Sequence, residues 1–469
     1  MNQKGQLDLQ NLSKSKPVYM IGIGGISMSA LALILKQAGF AVCGSDFKES
    51  DMTAFLQKQG IQVHIGHRAE NIGEVSAVVY TAAIKEDNPE LACARTLDVP
   101  VVERAVLLGE IMKWYQTPIA VSGTHGKTTT TSMLSEVMMA AEADPTILVG
   151  GILPSIGGNM RIGGKEYLVT EACEYCGSFL QFNPKISLIL NVEEDHLDYF
   201  KDIHDIVDCF HAFAMKTPID GLNVVNADDP EAMASVQGTA AKMLTFSVLN
   251  TEADFAATDV AFNEDGCAEF TVLKQGAFFM NATLSVPGIH NVKNALAVIA
   301  AADYMGISTV AMQEGFNQFK GTKRRFEQRG MFNGAYVIDD YAHHPTEIRT
   351  TLQTAKKAAG NGRVWCVFQP HTYTRAFKLR TEFAESFTEC DGVIVVDIYA
   401  AREKDTGLIS SEELSVDIQN FSHNAQYADN FETAETMLKA WAKPGDYLLT
   451  LGAGDVNKIC ANLVRQGAQ

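Results

Sequence analysis

The sequence predicts an α/β protein of about three domains built on parallel, doubly wound sheets, the central one carrying a phosphate loop. Three observations carry this. Apolar strands alternate with helical patterns, which favours parallel, doubly wound sheets. Two strands run through glycine turns straight into helices, at "IGIGGISMSALA" (21–32) and "VSGTHGKTTTTSM" (121–133). The 469 residues suit about three domains. Boundaries near "WYQTP" and "RRFEQRG" divide the chain into 1–115, 116–328 and 329–469.

In the first domain, "PVYMIGIGG" (17–25) reads as a strand and turn, and "ISMSALALILKQAGF" (26–40) as a helix. "AVCGSD" (41–46) and "AVVYTAAI" (77–84) are further strands. The turn matches G-x-G-x-x-G only as Gly22, Gly24 and Ser27, with Gly25 inside it. Asp46 ends the next strand, where dinucleotide folds place a ribose-binding acid. Alone, the pattern also fits an NAD-dependent dehydrogenase. A helix start of this kind suits any diphosphate. With a second phosphate loop downstream, it points to a nucleotide-linked substrate here and a nucleoside triphosphate in the next domain.

In the second domain, the β-branched run "TPIAVSG" (117–123) is a buried strand, and "KTTTTSMLSEVMMAA" (127–141) has helical periodicity. The loop between them is shorter than G-x-x-x-x-G-K-[ST]. Gly123 and Gly126 let backbone N–H groups approach phosphate, Lys127 supplies charge, and Thr128 offers Mg²⁺ an oxygen. Thr124, His125 and Thr129 complete the candidate set. The loop alone does not separate ATP from GTP. Glu171 ends the strand "EYLVTEA", and Asn191, Glu193, Asp195 and His196 follow another, "ISLIL". Ligands gather at this carboxyl edge in open α/β sheets. A carboxylate and an imidazole there could hold a second Mg²⁺, although that ion prefers oxygen ligands; Glu194 and Asp198 fit capping or solvation instead.

A β-rich stretch follows at 243–286, then the helix "HNVKNALAVIAAADYMG" (290–306). Asn291 and Asn294 share a helix face, and either read an adenine edge or cap the helix. Cys173 and Cys176 form a C-x-x-C, readable as a redox or metal pair, or as two small residues lining a site. Arg324 and Arg325, at the second boundary, read as a phosphate clamp or as a solvated charge pair. In the last domain, "DDYAHHPTEI" joins Asp339 and Asp340 to His343 and His344. Adjacent residues rarely both point into one site, so at least one of the two histidines is expected to be structural.

The net charge of −18 argues against a general nucleic-acid or membrane-surface binder. Anionic substrates must then be held by local basic clusters. No apolar run reaches transmembrane length, and the polar N-terminus lacks a signal-peptide core. Nine cysteines without disulfide spacing make a reducing cytoplasm the expected location.

Taken together and in order, "GIGGISMSALA", "GTHGKTTTT", "EACEYCGSF", "NVEEDHLDYF", "PGIHNVKNA", "GTKRRFE", "DDYAHHPTEI", "FQPHTYTR" and "LGAGDV" resemble the Mur ligase superfamily over nearly the whole chain. The resemblance implies a Rossmann-like N-terminal domain, a central P-loop ATPase domain with a parallel sheet and a C-terminal Rossmann-like domain, and ATP-dependent joining of L-alanine to the lactyl carboxylate of UDP-N-acetylmuramic acid through an acyl phosphate, in peptidoglycan precursor synthesis. It implies ATP on Lys127 and Thr128, and Mg²⁺ on Thr128, Glu171 and His196. Asn291 and Asn294 would meet adenine, and Arg325 and Asp340 would complete the nucleotide site. His371 and Arg375 would meet the amino acid. UDP-sugar would lie on Gly22, Gly24, Gly25, Ser27 and Asp46, in a monomer or homodimer with no nucleic-acid partner. A relative that recycles murein tripeptide onto the same UDP-sugar, and a non-catalytic nucleotide-binding regulator, are the competing readings. Three departures stand out. Ser27 replaces a frequent glycine, and "CEYCGS" replaces an acidic, serine-containing run. "DIHDIVDCFHAFAM" (202–215) holds no lysine, so no carbamoylated lysine is expected.

Overall fold

The computed structural model describes residues 6–401 and 403–467, in which three sheets follow one another along the chain. The first has five parallel strands in the order Gln62–Ile65, Val42–Asp46, Val18–Ile21, Ala77–Tyr80 and Val101–Glu103. Strand order reverses at Val18–Ile21, so a crevice opens at its carboxyl end, above Gly22. Gly22 has φ +80°, a backbone that favours glycine.

The second sheet has ten strands. At its centre Lys242–Ser247, Leu222–Asn226, Ile186–Ile189, Thr117–Ser122, Tyr167–Glu171 and Thr146–Leu153 run parallel. Ile186–Ile189 is buried throughout, as expected of a strand covered by helices on both faces. The expected parallel sheet is only the centre of a mixed one. Phe255–Phe262, Cys267–Lys274 and Ala277–Pro287 extend it as antiparallel hairpins, because Gly266 (φ +75°) and Gly276 (φ +76°) close tight turns between them. Gly158–Arg161 adds an antiparallel strand at the other edge.

The third sheet pairs Glu327–Phe332 antiparallel with Ala335–Asp340, through a turn at Asn333 (φ +49°) and Gly334 (φ +82°). Tyr447–Leu451, Val364–Phe368, Gly392–Val395 and Ala425–Tyr427 continue it in parallel. Among the described residues, no helix is long and apolar enough to cross a membrane.

The first and second sheets dock closely. Asn183 donates from Nδ2 to the Gly109 carbonyl at 2.9 Å, and Asn159 to the Ile26 carbonyl at 3.0 Å. The helix that begins at Lys127 is fixed from the other side by the helix Thr309–Gln318. A Cβ at Gly315 would sit 2.4 Å from the Val137 Cα, so the two backbones meet there without an intervening side chain. Overpacking of this kind typically costs about 1–3 kcal/mol. Gly315→Ala should therefore lower the urea midpoint by that equivalent and slow any reaction that depends on Lys127. An unchanged midpoint would show that the helices separate freely.

Candidate active site

The phosphate loop follows the strand Thr117–Ser122, whose buried residues place Gly123 at the carboxyl edge. Gly123 (φ +140°) and Gly126 (φ +82°) take conformations that side chains disfavour, so the turn needs glycine for its backbone as well as for access. Asn191, from the neighbouring strand end, holds the loop. Its Oδ1 accepts the His125 N–H at 2.7 Å, its Nδ2 donates to the His125 carbonyl at 3.1 Å, and its own carbonyl accepts the Thr124 N–H at 3.1 Å.

Lys127 is folded back over the loop. Its Nζ donates to the Gly123 and Thr124 carbonyls at 2.5 and 3.1 Å, and pairs with Glu174 at 3.0 Å. Burial works against the ammonium charge, but Glu174 outweighs it and raises the pKa. The sequence pattern "EACEYCGSF" points to Glu171 at the strand end but carries no signal for Glu174, whose partner lies in the separate phosphate loop. Beside it, His196 has φ +51°, with Nε2 at 3.6 Å from Glu174 and 3.8 Å from Asp195. Burial lowers the His196 pKa, which keeps the ring neutral and its lone pair available. Glu171 accepts the Gly150 N–H at 2.6 Å. A Cβ at Gly150 would lie 3.0 Å from both Glu171 oxygens, and one at Gly151 would lie 3.2 Å from the Thr128 Cγ2. Two glycines therefore keep the space between Thr128 and Glu171 open. Thr128 and Glu171 border it with oxygen-bearing side chains, the donor type a hard divalent cation prefers, while the neutral His196 ring stands at Glu174.

A second group, His125, Glu193 and His344, also brings ligand atoms within 4.8 Å of one another. It does not suit a cation. His344 Nε2 lies 3.0 Å from the Glu194 carbonyl, and its Nδ1 accepts the Thr346 N–H at 3.3 Å. His125 lies between Glu193 (3.7 Å) and Glu347 (3.2 Å). Burial opposes its charge, yet the two carboxylates raise its pKa to about 9. The expectation that one of the adjacent histidines is structural applies to His344, which ties the last domain to the second. His343 also turns toward Glu347, at 3.3 Å.

A cavity of about 550 Å³ opens beyond the loop, lined by Gly126, Asn291, Asn294, Arg325, Asp340 and Glu347 among others. The amides are already engaged there: Asn294 donates to Asn291 Oδ1 at 3.1 Å, and Asn291 to the Pro287 carbonyl at 2.7 Å. A Cβ at Gly126 would come within 2.8 Å of the Asn294 Oδ1, so this pair also shapes the loop. The two arginines divide the roles left open by sequence. Arg324 turns into the third sheet, donating to the Gly452 carbonyl at 2.7 Å beside Asp339. Arg325 lines the cavity, over the Tyr341 ring and 3.6 Å from Glu347. Asp340 accepts the Phe326 and Ala342 N–H groups at 2.8 and 2.7 Å, and burial raises its pKa to about 6.

Arg375 is 8% exposed and engaged. Its Nε and a terminal nitrogen reach Asp195 at 2.9 and 2.8 Å, and the other terminal nitrogen reaches His371 Nδ1 at 2.9 Å. Burial lowers the His371 pKa to about 3, so it accepts from arginine as a neutral ring. In the first domain, Gly24 donates to Asp46 Oδ2 at 2.9 Å, and a Cβ at Gly24 would lie 2.8 Å from that oxygen. Gly25 starts the next helix with no side-chain cap, leaving the backbone N–H groups beside Ser27 uncapped by any side chain. Cys173 is half-buried and Cys176 exposed, and neither is in a disulfide.

The His125 pair gives a pH signature. Its folded pKa, about 9, lies above the ordinary 6.5. Its contribution to stability is therefore complete below pH 6.5 and is lost as pH rises through 9. Unfolding midpoints measured across that window should fall in the parent protein and fall less steeply in Glu347→Gln. Parallel curves would remove this pair from the junction.

Comparison with known proteins agrees with the geometry. Residues 17–116 match the Mur ligase family catalytic domain, 121–302 the Mur ligase middle domain, and 324–454 the Mur ligase glutamate ligase domain. The UDP-N-acetylmuramate–L-alanine ligase of Acetivibrio thermocellus is 50% identical over 97% of both chains. The UDP-N-acetylmuramate–alanine ligase MurC of Thermotoga maritima superposes with a TM-score of 0.80 at 31% identity, over 96% of this chain and 99% of that one. A murein peptide ligase from Psychrobacter arcticus gives 0.69 at 26% identity, over 96% and 98%. On the matched domains and the near full-length identity, this chain belongs to the Mur ligase family.

Proposed function

We propose that this protein is a cytoplasmic ligase that joins L-alanine to the lactyl carboxylate of UDP-N-acetylmuramic acid, with ATP converted to ADP and phosphate. The observation that carries the reading is the 50% identity to a UDP-N-acetylmuramate–L-alanine ligase over 97% of both chains, with Lys127 and Glu174 paired at 3.0 Å on the phosphate loop.

A free carboxylate resists amine attack because oxide is a poor leaving group. Transfer of the γ-phosphoryl group to the lactyl acid supplies a good one. The uncharged alanine amine then attacks the acyl carbon, and phosphate leaves as the amide forms. The chain's part is positioning and charge neutralisation. Lys127 releases the two loop carbonyls and turns to the phosphates while Glu174 holds its charge. Arg325 meets phosphate from the last domain. Mg²⁺ held by Thr128, Glu171 and His196 would neutralise the phosphate oxygens. Glycine N–H groups at Gly22 to Ser27 receive the diphosphate of the sugar nucleotide, and Asp46 orders that turn.

Sustained, multiple-turnover ADP release should require ATP, UDP-N-acetylmuramic acid and L-alanine together. Lys127→Ala should lower the rate by about 10²–10³, the usual loss for one preorganised charge stabiliser. Turnover with murein tripeptide in preference to L-alanine would replace this reading with the recycling one. Near-normal turnover of the variant would remove Lys127 from the mechanism.

Arg375 is the proposed receiver of the alanine carboxylate, with His371 orienting the amine end. Because Asp195 already occupies two of its nitrogens, substrate shares an existing ion pair rather than meeting a bare cation. Arg375→Ala should raise the KM for L-alanine and, by freeing Asp195 beside His196, lower kcat as well. The KM values for ATP and UDP-sugar should change little. Separate titrations of the three substrates decide this, and an unchanged alanine KM would overturn it.

A further inference from the structure

A cavity of about 130 Å³ lies between the first and second sheets, distinct from the larger one beyond the phosphate loop. Ser27 of the first glycine turn, Asn159, Glu171, Cys173 and Arg104 line it. Arg104 is the first residue of the helix Arg104–Met112. A cation at that end meets the positive end of the helix dipole. Among the described residues no carboxylate lies within ion-pair distance of it, and its guanidinium makes no hydrogen bond to the protein. Burial lowers its pKa, and the pull of the neighbouring Glu103 carboxylate offsets only part of that, so the fold holds this charge at a cost.

Its surroundings indicate what the partner is. The Cys173 thiol feels both Arg104 and Lys127, so two cations flank one point at the carboxyl edge of the second sheet. One wall of the cavity is the turn that receives the sugar nucleotide's diphosphate, and the opposite wall is Glu171, beside the phosphate loop. A substrate acid bridging those two places must cross this space. It also meets Glu171 there, so it needs a cation of its own. A guanidinium fork matches a carboxylate with two parallel N–H···O bonds.

We propose that Arg104 binds the lactyl carboxylate of the sugar nucleotide and presents it to the phosphate at Lys127. The assignment rests on the ligase reading above and names the residue that distinguishes an acid-bearing sugar nucleotide from one without the acid. Asn159, which ties its Nδ2 to the Ile26 carbonyl at 3.0 Å, keeps the two walls at a fixed separation.

The test compares UDP-N-acetylmuramic acid with UDP-N-acetylglucosamine, the same nucleotide sugar without the lactyl acid. Dissociation constants for both are measured by titration calorimetry on the parent protein, Arg104→Gln and Arg104→Lys, with the KM for ATP alongside. Loss of a charge-assisted bond to the acid should weaken UDP-N-acetylmuramic acid about 10–100-fold in Arg104→Gln. Affinity for UDP-N-acetylglucosamine and the KM for ATP should stay at the parent values, and Arg104→Lys should recover part of the loss. The melting midpoint of Arg104→Gln should equal or exceed that of the parent, because an unpaired buried charge has been removed. Unchanged affinity for UDP-N-acetylmuramic acid would overturn the assignment, as would an equal loss for both sugars. A parent protein that binds neither sugar and releases no ADP overturns the ligase reading itself, which separates that failure from one confined to the variants.

Discussion

The ion pair between Glu347 and His125 is the contact on which the assembled site depends. It joins the helix that opens the last domain to the middle of the phosphate loop, at 3.2 Å. The same carboxylate takes the His343 ring at 3.3 Å and Arg325 at 3.6 Å. Around it, Thr346 donates to Glu193 at 2.6 Å and His344 reaches the Glu194 carbonyl. Removing one member strands another charge out of water, which is far more costly than the net worth of an intact pair. The junction therefore fixes geometry more than it adds stability. It sets where Arg325 stands relative to Gly126, and hence the depth of the large cavity.

How much of this was legible in the sequence follows from the range of each interaction. The glycine turns at Gly22 and Gly123–Gly126 could be read because their requirement is local: a positive φ, a strand before and a helix after. Central strands such as "ISLIL" stood out because burial on both faces makes them continuously apolar. The antiparallel hairpins at the edge of the second sheet gave only a β-rich impression, since half-exposed strands carry weaker signals. Side-chain partners were out of reach. Lys127 and Glu174 are 47 residues apart, and Arg375 and Asp195 are 180 apart. The family resemblance pointed to Arg375 as an amino-acid receiver without revealing that Asp195 already holds it. Arg104 carries no motif at all, and only its place on a cavity wall singles it out.

The histidines show how burial sorts charge in a strongly acidic chain. Burial lowers the pKa of His196, of His344 (to about 4), of His371 (to about 3) and of His290 (to about 4), so these rings are neutral at physiological pH. His125, under the same burial, is raised because two carboxylates face it. The site thus has its fixed cations in known places. Lys127 is matched by Glu174, Arg325 and His125 by Glu347, and Arg375 by Asp195.

That matching constrains what can bind. An incoming phosphate or carboxylate meets cations already neutralised within the protein, so each further anion either displaces a carboxylate or arrives with a compensating charge. Displacement is easy to picture at Lys127, whose Nζ also spends bonds on two loop carbonyls that phosphate oxygens can replace. It is harder at Arg375, where Asp195 is buried and Arg375 holds its carboxyl well below the usual range despite burial. A divalent cation held between Thr128 and Glu171, as proposed, would supply part of the missing charge for the triphosphate. For the sugar acid, the residue able to supply the rest is an arginine that has kept its charge without a carboxylate of its own, and Arg104 meets that description on the wall where the acid must pass.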